Sequence, residues 1–347
     1  MNQSCIGDGQ NCSISEFKRN VYPTAYLLMF IIGLIANLIS LYVFLNMWRA
    51  ERTLSSINLF MVNLTVSDLM LICSLPFRAS YYINDSNWVF GDVTCRFMSY
   101  IFYVNMYGSV YFLMVLSVIR YVAITKPYTY VRQQHYRFTW LVCVCIWLLV
   151  SLASIPNLFG GSKQDGEKVK CLELVEPEAT LLNTIVIMNY GALLLGFLVP
   201  FLVILVCYIF VVHRLLKQNI MKTQRHQYKK SCSLVIIVLV IFLACFLPYH
   251  VARSVFLHAE WDLCTNGTRG SCGYIIGVRK AAVITHCLAS ANSCLDPLLY
   301  IFVGENFRKF WRIKSQRQKQ KQKHNSTQRD SVNVANAKTE MQLLSTQ

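Results

Sequence analysis

Asp68, Asn105, Ser109, Asn292 and Asp296 are polar side chains set in otherwise apolar stretches, and Asn105 with Ser109, like Asn292 with Asp296, are spaced by four. On a helix that spacing puts both members of a pair on one face. Their carboxylate, amide and hydroxyl oxygens make a set of hard ligands for a small cation, with Asp68 carrying the charge. The same groups also suit a water-filled network that glues helices together, and the spacing does not choose between the two. A second group is basic and aromatic. Arg78 lies about 15 Å of helical rise beyond Asp68, and Arg253 follows Pro248 on another apolar run. Tyr249 and Arg253 share a helical face, as do Tyr103, Tyr107 and Tyr111. An arginine fork holds carboxylate or phosphate through two parallel hydrogen bonds, and tyrosines add apolar walls with a polar handle. That chemistry fits an amphipathic anion. The plainer alternative is two arginines that snorkel toward water.

Such groups need a scaffold, and the sequence offers apolar helices. Hydrophobic residues make up 55% of the 347-residue chain and charged residues 14%, well to the apolar side of a soluble protein. A helix needs roughly 20 residues to cross the hydrocarbon core. Seven runs qualify: Tyr22–Trp48, Ser56–Ile83, Thr94–Ile124, Phe138–Leu158, Leu182–Leu216, Ser233–Leu257 and Ile275–Phe302. Unpaired backbone amides in lipid permit only helices or closed barrels, and barrel strands would be shorter and alternating. The predicted fold is an all-α membrane protein, a seven-transmembrane helix bundle over residues 22–303. An extracellular segment (1–21) precedes it; a short amphipathic eighth helix (304–313) and a disordered cytoplasmic tail (314–347) follow.

Lysine and arginine crowd the segments after spans one, three, five and seven, from Arg49 and Arg52 to the run Arg308–Lys323. The positive-inside rule then puts the N-terminus outside and the C-terminus inside. Glycosylation sequons beginning at Asn2, Asn11, Asn84 and Asn266 fall on the outer side, whereas those at Asn63 and Asn325 lie in a span and on the basic side. The first twenty residues hold no apolar core with a cleavage site, so span one is expected to direct its own insertion. The net charge of +16 sits mostly in the cytoplasmic segments. It argues for topology determinants that also meet anionic lipid and a cytosolic partner, and against nucleic acid. Ser326, Thr327, Ser331 and Thr339 in the tail can accept phosphate. Of the fourteen cysteines, Cys5, Cys12, Cys95, Cys171, Cys264 and Cys272 fall on the oxidising side. A bridge from Cys95 to Cys171 would pin the loop between spans four and five across the bundle mouth. The other four point to a tie between the N-terminal segment and the last outer loop, with Cys12–Cys272 preferred and Cys5–Cys264 as the remaining pair, although spacing alone does not decide.

Motifs in register make the pattern specific. Asn37 in Gly-Leu-Ile-Ala-Asn, Asp68, Cys95, Arg120, Trp147, Pro200, Tyr208, Pro248, Pro297 and Tyr300 follow one another on the appropriate spans. Through them the chain resembles the rhodopsin-like G-protein-coupled receptors, from its first span to the short helix after its seventh. It departs from their pattern in three places. Ile119 replaces the acidic residue before Arg120, so no carboxylate there locks the arginine in a resting state. Phe246 replaces a tryptophan in span six, and Asp296 replaces the asparagine that opens the span-seven motif. Within that family the chain is most similar to the cysteinyl leukotriene receptors, nearer to type 2 than to type 1. The strings that carry this run from Asn11 to Arg19, Leu75 to Tyr82, Ser86 to Asp92, Met98 to Tyr100, Tyr103 to Tyr107, Cys171 to Leu174, Phe246 to His250 and Gly304 to Phe307.

The resemblance implies the Cys95–Cys171 bridge and a lipid agonist, a polyunsaturated chain with a cysteine- or glutathione-derived head bearing carboxylates (leukotrienes C4, D4 and E4). Arg78, Tyr103, Tyr107, Tyr249 and Arg253 would line its pocket. Arg120, Tyr121, Tyr208, Phe246, Pro248, Pro297 and Tyr300 would form the switch and the coupling surface for a heterotrimeric G protein. The Gq class, phospholipase C, calcium release and a plasma-membrane location follow from the same resemblance, with arrestin and receptor kinases as further partners. Span six would hinge at Pro248, where a missing amide permits a kink. A sodium ion among Asp68, Asn105, Ser109, Asn292 and Asp296 would oppose activation; no other cofactor is expected. A purinergic-type nucleotide receptor is the nearest rival, since His250 and Arg253 reproduce its His-x-x-Arg spacing, yet His286 stands where a span-seven arginine would be expected. A channel or transporter would call for inverted repeats, and an enzyme for a nucleophile with a base or a ligand cluster; the sequence offers neither.

Overall fold

Backbone amides in a bilayer have no water to bond, so long apolar runs close their hydrogen bonds within helices. The computed structural model describes residues 12–51, 55–125, 136–171, 173, 179–217, 222–265 and 272–303. In order, α1 is Ser15–Glu51, α2 Ser56–Ile83, α3 Asp92–Thr125 and α4 Tyr136–Ser154, the last continued by a 3-10 turn at Ile155–Leu158. Strands β1 (Lys163–Asp165) and β2 (Lys168–Lys170) form an antiparallel hairpin that the sequence reading did not anticipate. α5 is composite: Ala179–Gly191, a π-turn at Ala192–Leu198, then Val199–Lys217. α6 is Lys222–Thr265 and α7 Cys272–Val303. Among the described residues, seven helices are long and apolar enough to cross a membrane. The sequons at Asn2, Asn11 and Asn266, Cys5, the eighth helix (304–313) and the tail (314–347) lie outside these residues, and only the backbone is described for Cys264 and Tyr300.

The helices overrun the apolar stretches that announced them. α1 starts at Ser15, where the Ser15 amide bonds Ser13 Oγ (3.3 Å) and Glu16 suits the positive end of the helix, so the last part of the predicted N-terminal segment is helical. α6 starts at Lys222 rather than Ser233. An apolar run marks only the part of a helix that meets hydrocarbon, and the helix itself continues into the polar layer.

Helices in lipid gain no hydrophobic drive toward one another and associate through close packing and polar links. Gly33 lets α1 approach α2 and α7: a Cβ there would lie 2.8 Å from Ile72 Cδ1 and 3.0 Å from Cys294 Sγ. Asn37 Nδ2 donates to the carbonyls of Gly33 (3.0 Å) and Ser293 (2.9 Å), joining α1 to α7. Trp147 Nε1 donates to Asn63 Oδ1 (2.9 Å), joining α4 to α2. Leu28, Ile31, Ile32 and Ile35 of α1 are exposed on the side left for lipid.

Among the described residues, two disulfides mark one end of the bundle. Cys95–Cys171 joins the start of α3 to the chain just past β2 (Cα–Cα 5.9 Å), and Cys12–Cys272 joins the approach to α1 with the start of α7 (5.6 Å). The hairpin is fastened beside them, the Trp88 amide bonding the Val169 carbonyl (2.8 Å) and the Val169 amide bonding Asn87 Oδ1 (2.9 Å). Arg279 of α7 grips Glu260 of α6 with both forks (2.7 and 3.0 Å) and donates to the Cys12 carbonyl (2.9 Å).

Candidate functional site

Toward this bridged end, α2, α3, α6 and α7 turn basic and aromatic side chains toward one another. Arg78 of α2 is 5% exposed; its Nη2 donates to the Met98 carbonyl (2.9 Å), its guanidinium carbon lies 4.8 Å over the Phe102 ring, and its Nε has no partner. Arg253 of α6 is half-buried with its guanidinium 5.8 Å over Tyr103. Tyr103 and Tyr107 stack at 6.3 Å, and Tyr249 is buried beneath Arg253. His286 of α7 stands between the two arginines' neighbourhoods, stacked on Phe102 at 4.4 Å and 5.9 Å from Tyr249. Tyr22, stacked on Tyr82 (4.2 Å) and Tyr26 (5.2 Å), closes the α1 side. Among the described residues, no carboxylate pairs with Arg78 or Arg253. Ring faces offset part of the desolvation of a cation, but a buried charge without a counterion is costly, and a guanidinium is shaped to receive an oxyanion. The site therefore suits a ligand with one or more carboxylates and a substantial apolar body.

All five sequence-derived pocket residues are in this region, and the structure adds Tyr22, Tyr26, Tyr82, Phe102 and His286. Tyr22 and Tyr26 are four apart on α1, a spacing that signals a shared face. Tyr111 does something different from Tyr103 and Tyr107. Pro200 has no amide, and its ring crowds the carbonyl one turn back, so the ladder of α5 widens just before it and the Val199 amide reaches the Leu194 carbonyl. Tyr111 Oη donates to the neighbouring Leu195 carbonyl (3.0 Å), and Gly196 in the same turn leaves room for the Tyr107 ring. A Cβ at Gly196 would stand 2.4 Å from Tyr107 Cε1.

Deeper in the bundle, Asp68, Asn105, Ser109, Asn292 and Asp296 are all buried. Ser109 Oγ donates to Asp68 Oδ1 (3.4 Å), Asn292 Nδ2 to Asp296 Oδ2 (3.0 Å), and Asn105 Nδ2 to Ser67 Oγ (3.0 Å). Ser293, absent from the sequence reading, donates to Asn105 Oδ1 (3.4 Å) and so links α7 to α3. Asp68 Oδ2, Asn292 Oδ1 and Asp296 Oδ1 are buried without hydrogen-bond partners. Unpaired oxygens beside two buried carboxylates fit a small hard cation.

Between the two clusters runs a stack of rings. Phe197 lies 5.3 Å from Phe242 and 5.1 Å from His250, and Phe242 lies 5.3 Å from Phe246. Pro248 and Pro297 sit inside α6 and α7. At the other end Arg120 and Tyr208 are half-buried on α3 and α5, and Tyr121 packs on Phe210 at 5.8 Å. Asn84, the remaining described sequon, ends α2 with its side chain exposed.

The model of the 7 transmembrane receptor (rhodopsin family) matches residues 36–300. The chain is 44% identical over 302 residues to cysteinyl leukotriene receptor 2 from Homo sapiens, covering 87% of this chain and 83% of that one. To cysteinyl leukotriene receptor 1 from Homo sapiens it is 37% identical over 301 residues, 86% of each. To G-protein coupled receptor 183 from Mus musculus it is 33% identical over 308 residues, 87% of this chain and 84% of that one.

Proposed function

This chain belongs to the rhodopsin family of seven-transmembrane receptors, and we propose that its agonist is a cysteinyl leukotriene received at the bridged end. The observation that carries this reading is the pair of pocket arginines, Arg78 and Arg253, that have no carboxylate partner among the described residues and stand among tyrosines. Their forks take the head-group carboxylates, Tyr103, Tyr107 and Tyr249 flank the head, and apolar walls take the hydrocarbon. The names of the relatives at 44% and 37% identity point to the same ligand class. The bridged end is extracellular and the C-terminus cytoplasmic, in the plasma membrane, with Asn2, Asn11, Asn84 and Asn266 as glycan acceptors.

An agonist shifts such a receptor only by binding its active arrangement more tightly. Pro248 lies one residue below Tyr249 and frees the carbonyl of Ala244, so a head group that draws Tyr249 and Arg253 inward pivots the opposite half of α6 outward. That movement uncovers Arg120 and Tyr121 for a G protein of the Gq class, and phospholipase C and calcium follow. Arrestin and receptor kinases would act at the same end. Asp68, Asn105, Ser109, Asn292 and Asp296 would hold sodium, which when bound supplies the countercharge for the two carboxylates. The reading is tested by calcium responses of transfected cells to leukotrienes C4, D4 and E4 against uridine diphosphate. Leukotriene responses are expected; a response to uridine diphosphate alone would make this a nucleotide receptor.

A further inference from the structure

The pocket floor holds a polar group that the head-group chemistry leaves unused. His250 is 1% exposed, and its buried Nε2 has no hydrogen-bond partner. Rings surround it: Phe197 at 5.1 Å, Tyr249 at 5.2 Å and Tyr107 at 6.3 Å. On the adjacent residue the buried Tyr249 Oη also has no partner at hydrogen-bonding geometry among the described residues. An unpaired buried polar atom costs more than most hydrogen bonds contribute, so two on neighbouring residues call for a bonding group to be brought in. An imidazole nitrogen and a phenol can each donate or accept, which suits a neutral group rather than another carboxylate. Below them the Phe197, Phe201, Phe242 and Phe246 rings offer only hydrocarbon contact. The floor is thus graded from guanidinium through hydrogen-bonding groups to pure aromatic surface.

We propose that His250 and Tyr249 read an alcohol on the agonist, three to four residues or about 4.5–6 Å of helical rise below the carboxylate held by Arg253, where the head group gives way to the hydrocarbon chain. The assignment rests on the reading of the pocket as a site for an anionic lipid and narrows that class to hydroxylated members. Sites built to bond a hydroxyl reject the analogue that lacks it, because their own polar groups are then left unpaired.

The experiment is a cycle between protein and ligand. Membranes carrying the wild-type receptor, His250→Phe or Tyr249→Phe are titrated with leukotriene D4 and with the analogue in which hydrogen replaces its alcohol, with receptor number measured in each preparation. The wild type is expected to prefer the alcohol by about tenfold or more. In His250→Phe the two ligands converge to within about twofold, with affinity for the analogue held. Equal weakening of both ligands by His250→Phe, or an unchanged preference, overturns the proposal and leaves water as the partner of these atoms. Tyr249→Phe removes a single oxygen and so keeps the test independent of folding: a narrowed preference supports the pair, and a full one overturns it. Failure of the wild type to bind leukotriene D4 at all overturns the agonist reading itself, and this one with it.

Discussion

Arg253 and Arg78 differ in what holds them. Arg78 spends one nitrogen on the Met98 carbonyl and lies buried against Phe102, whereas Arg253 has the Tyr103 ring beside it and is only partly buried. Arg253 is therefore the freer of the two to meet a ligand. Arg253→Ala should lower agonist potency about 10- to 100-fold, the worth of one or two charge-assisted hydrogen bonds, while surface immunostaining stays near wild type; equal loss of both would remove Arg253 from the pocket. Arg253→Lys should recover only part of the potency, because an ammonium lacks the planar fork. Both arginines were legible in the sequence because a charge in an apolar run stands out, and Tyr103, Tyr107 and Tyr249 because they repeat at helical spacing near one. Tyr22, Tyr82 and Phe102 were not: an aromatic ring suits lipid and pocket equally, and only the packing of α1, α2 and α3 tells which it faces. Ser293 was hidden for a related reason, since attention to the spacing of Asn292 and Asp296 passes over the residue between them that turns to Asn105.

At the level of the element, α5 is the helix whose irregularity has most to do with the pocket. Its π-turn presents Gly196 to the Tyr107 ring and the Leu195 carbonyl to Tyr111. Gly196→Ala puts a methyl against the Tyr107 ring, so that ring must shift from its place in the pocket wall. Agonist affinity is expected to fall by about tenfold, and detergent-solubilised receptor to lose about 1–3 kcal/mol of stability as a lower thermal midpoint. Unchanged affinity beside a lowered midpoint would mean that the ring finds room elsewhere. Pro200 was visible in the sequence, but a ladder that widens by one residue leaves no mark in composition. The existence of all seven spans was legible from apolar length, and their ends were not, because a helix such as α6 goes on past the hydrocarbon that selected its centre. The hairpin of β1 and β2 was missed for want of any apolar alternation in three-residue strands.

The buried oxygen cluster belongs to the whole molecule, since α2, α3 and α7 each contribute to it and none forms it alone. If sodium holds these helices in the resting arrangement, replacing it with N-methylglucamine should raise agonist affinity about five- to tenfold. In Asp68→Asn the affinity should no longer depend on sodium; a sodium effect that persists in this variant would place the ion elsewhere. The Cys12–Cys272 bridge also acts at this scale, and it has a topological result. Its partners are 260 residues apart, so it closes the first six spans into a covalent macrocycle, with Cys95–Cys171 as a smaller ring inside. A single cut in the backbone between Cys12 and Cys272 opens the large ring without releasing a fragment. A protease site placed between Lys217 and Lys222 should thus give, once cleaved, one band on a non-reducing gel and two after reduction, and the nicked receptor should still be a single molecule in which α6 has lost its peptide connection to α5 but not its link to the rest.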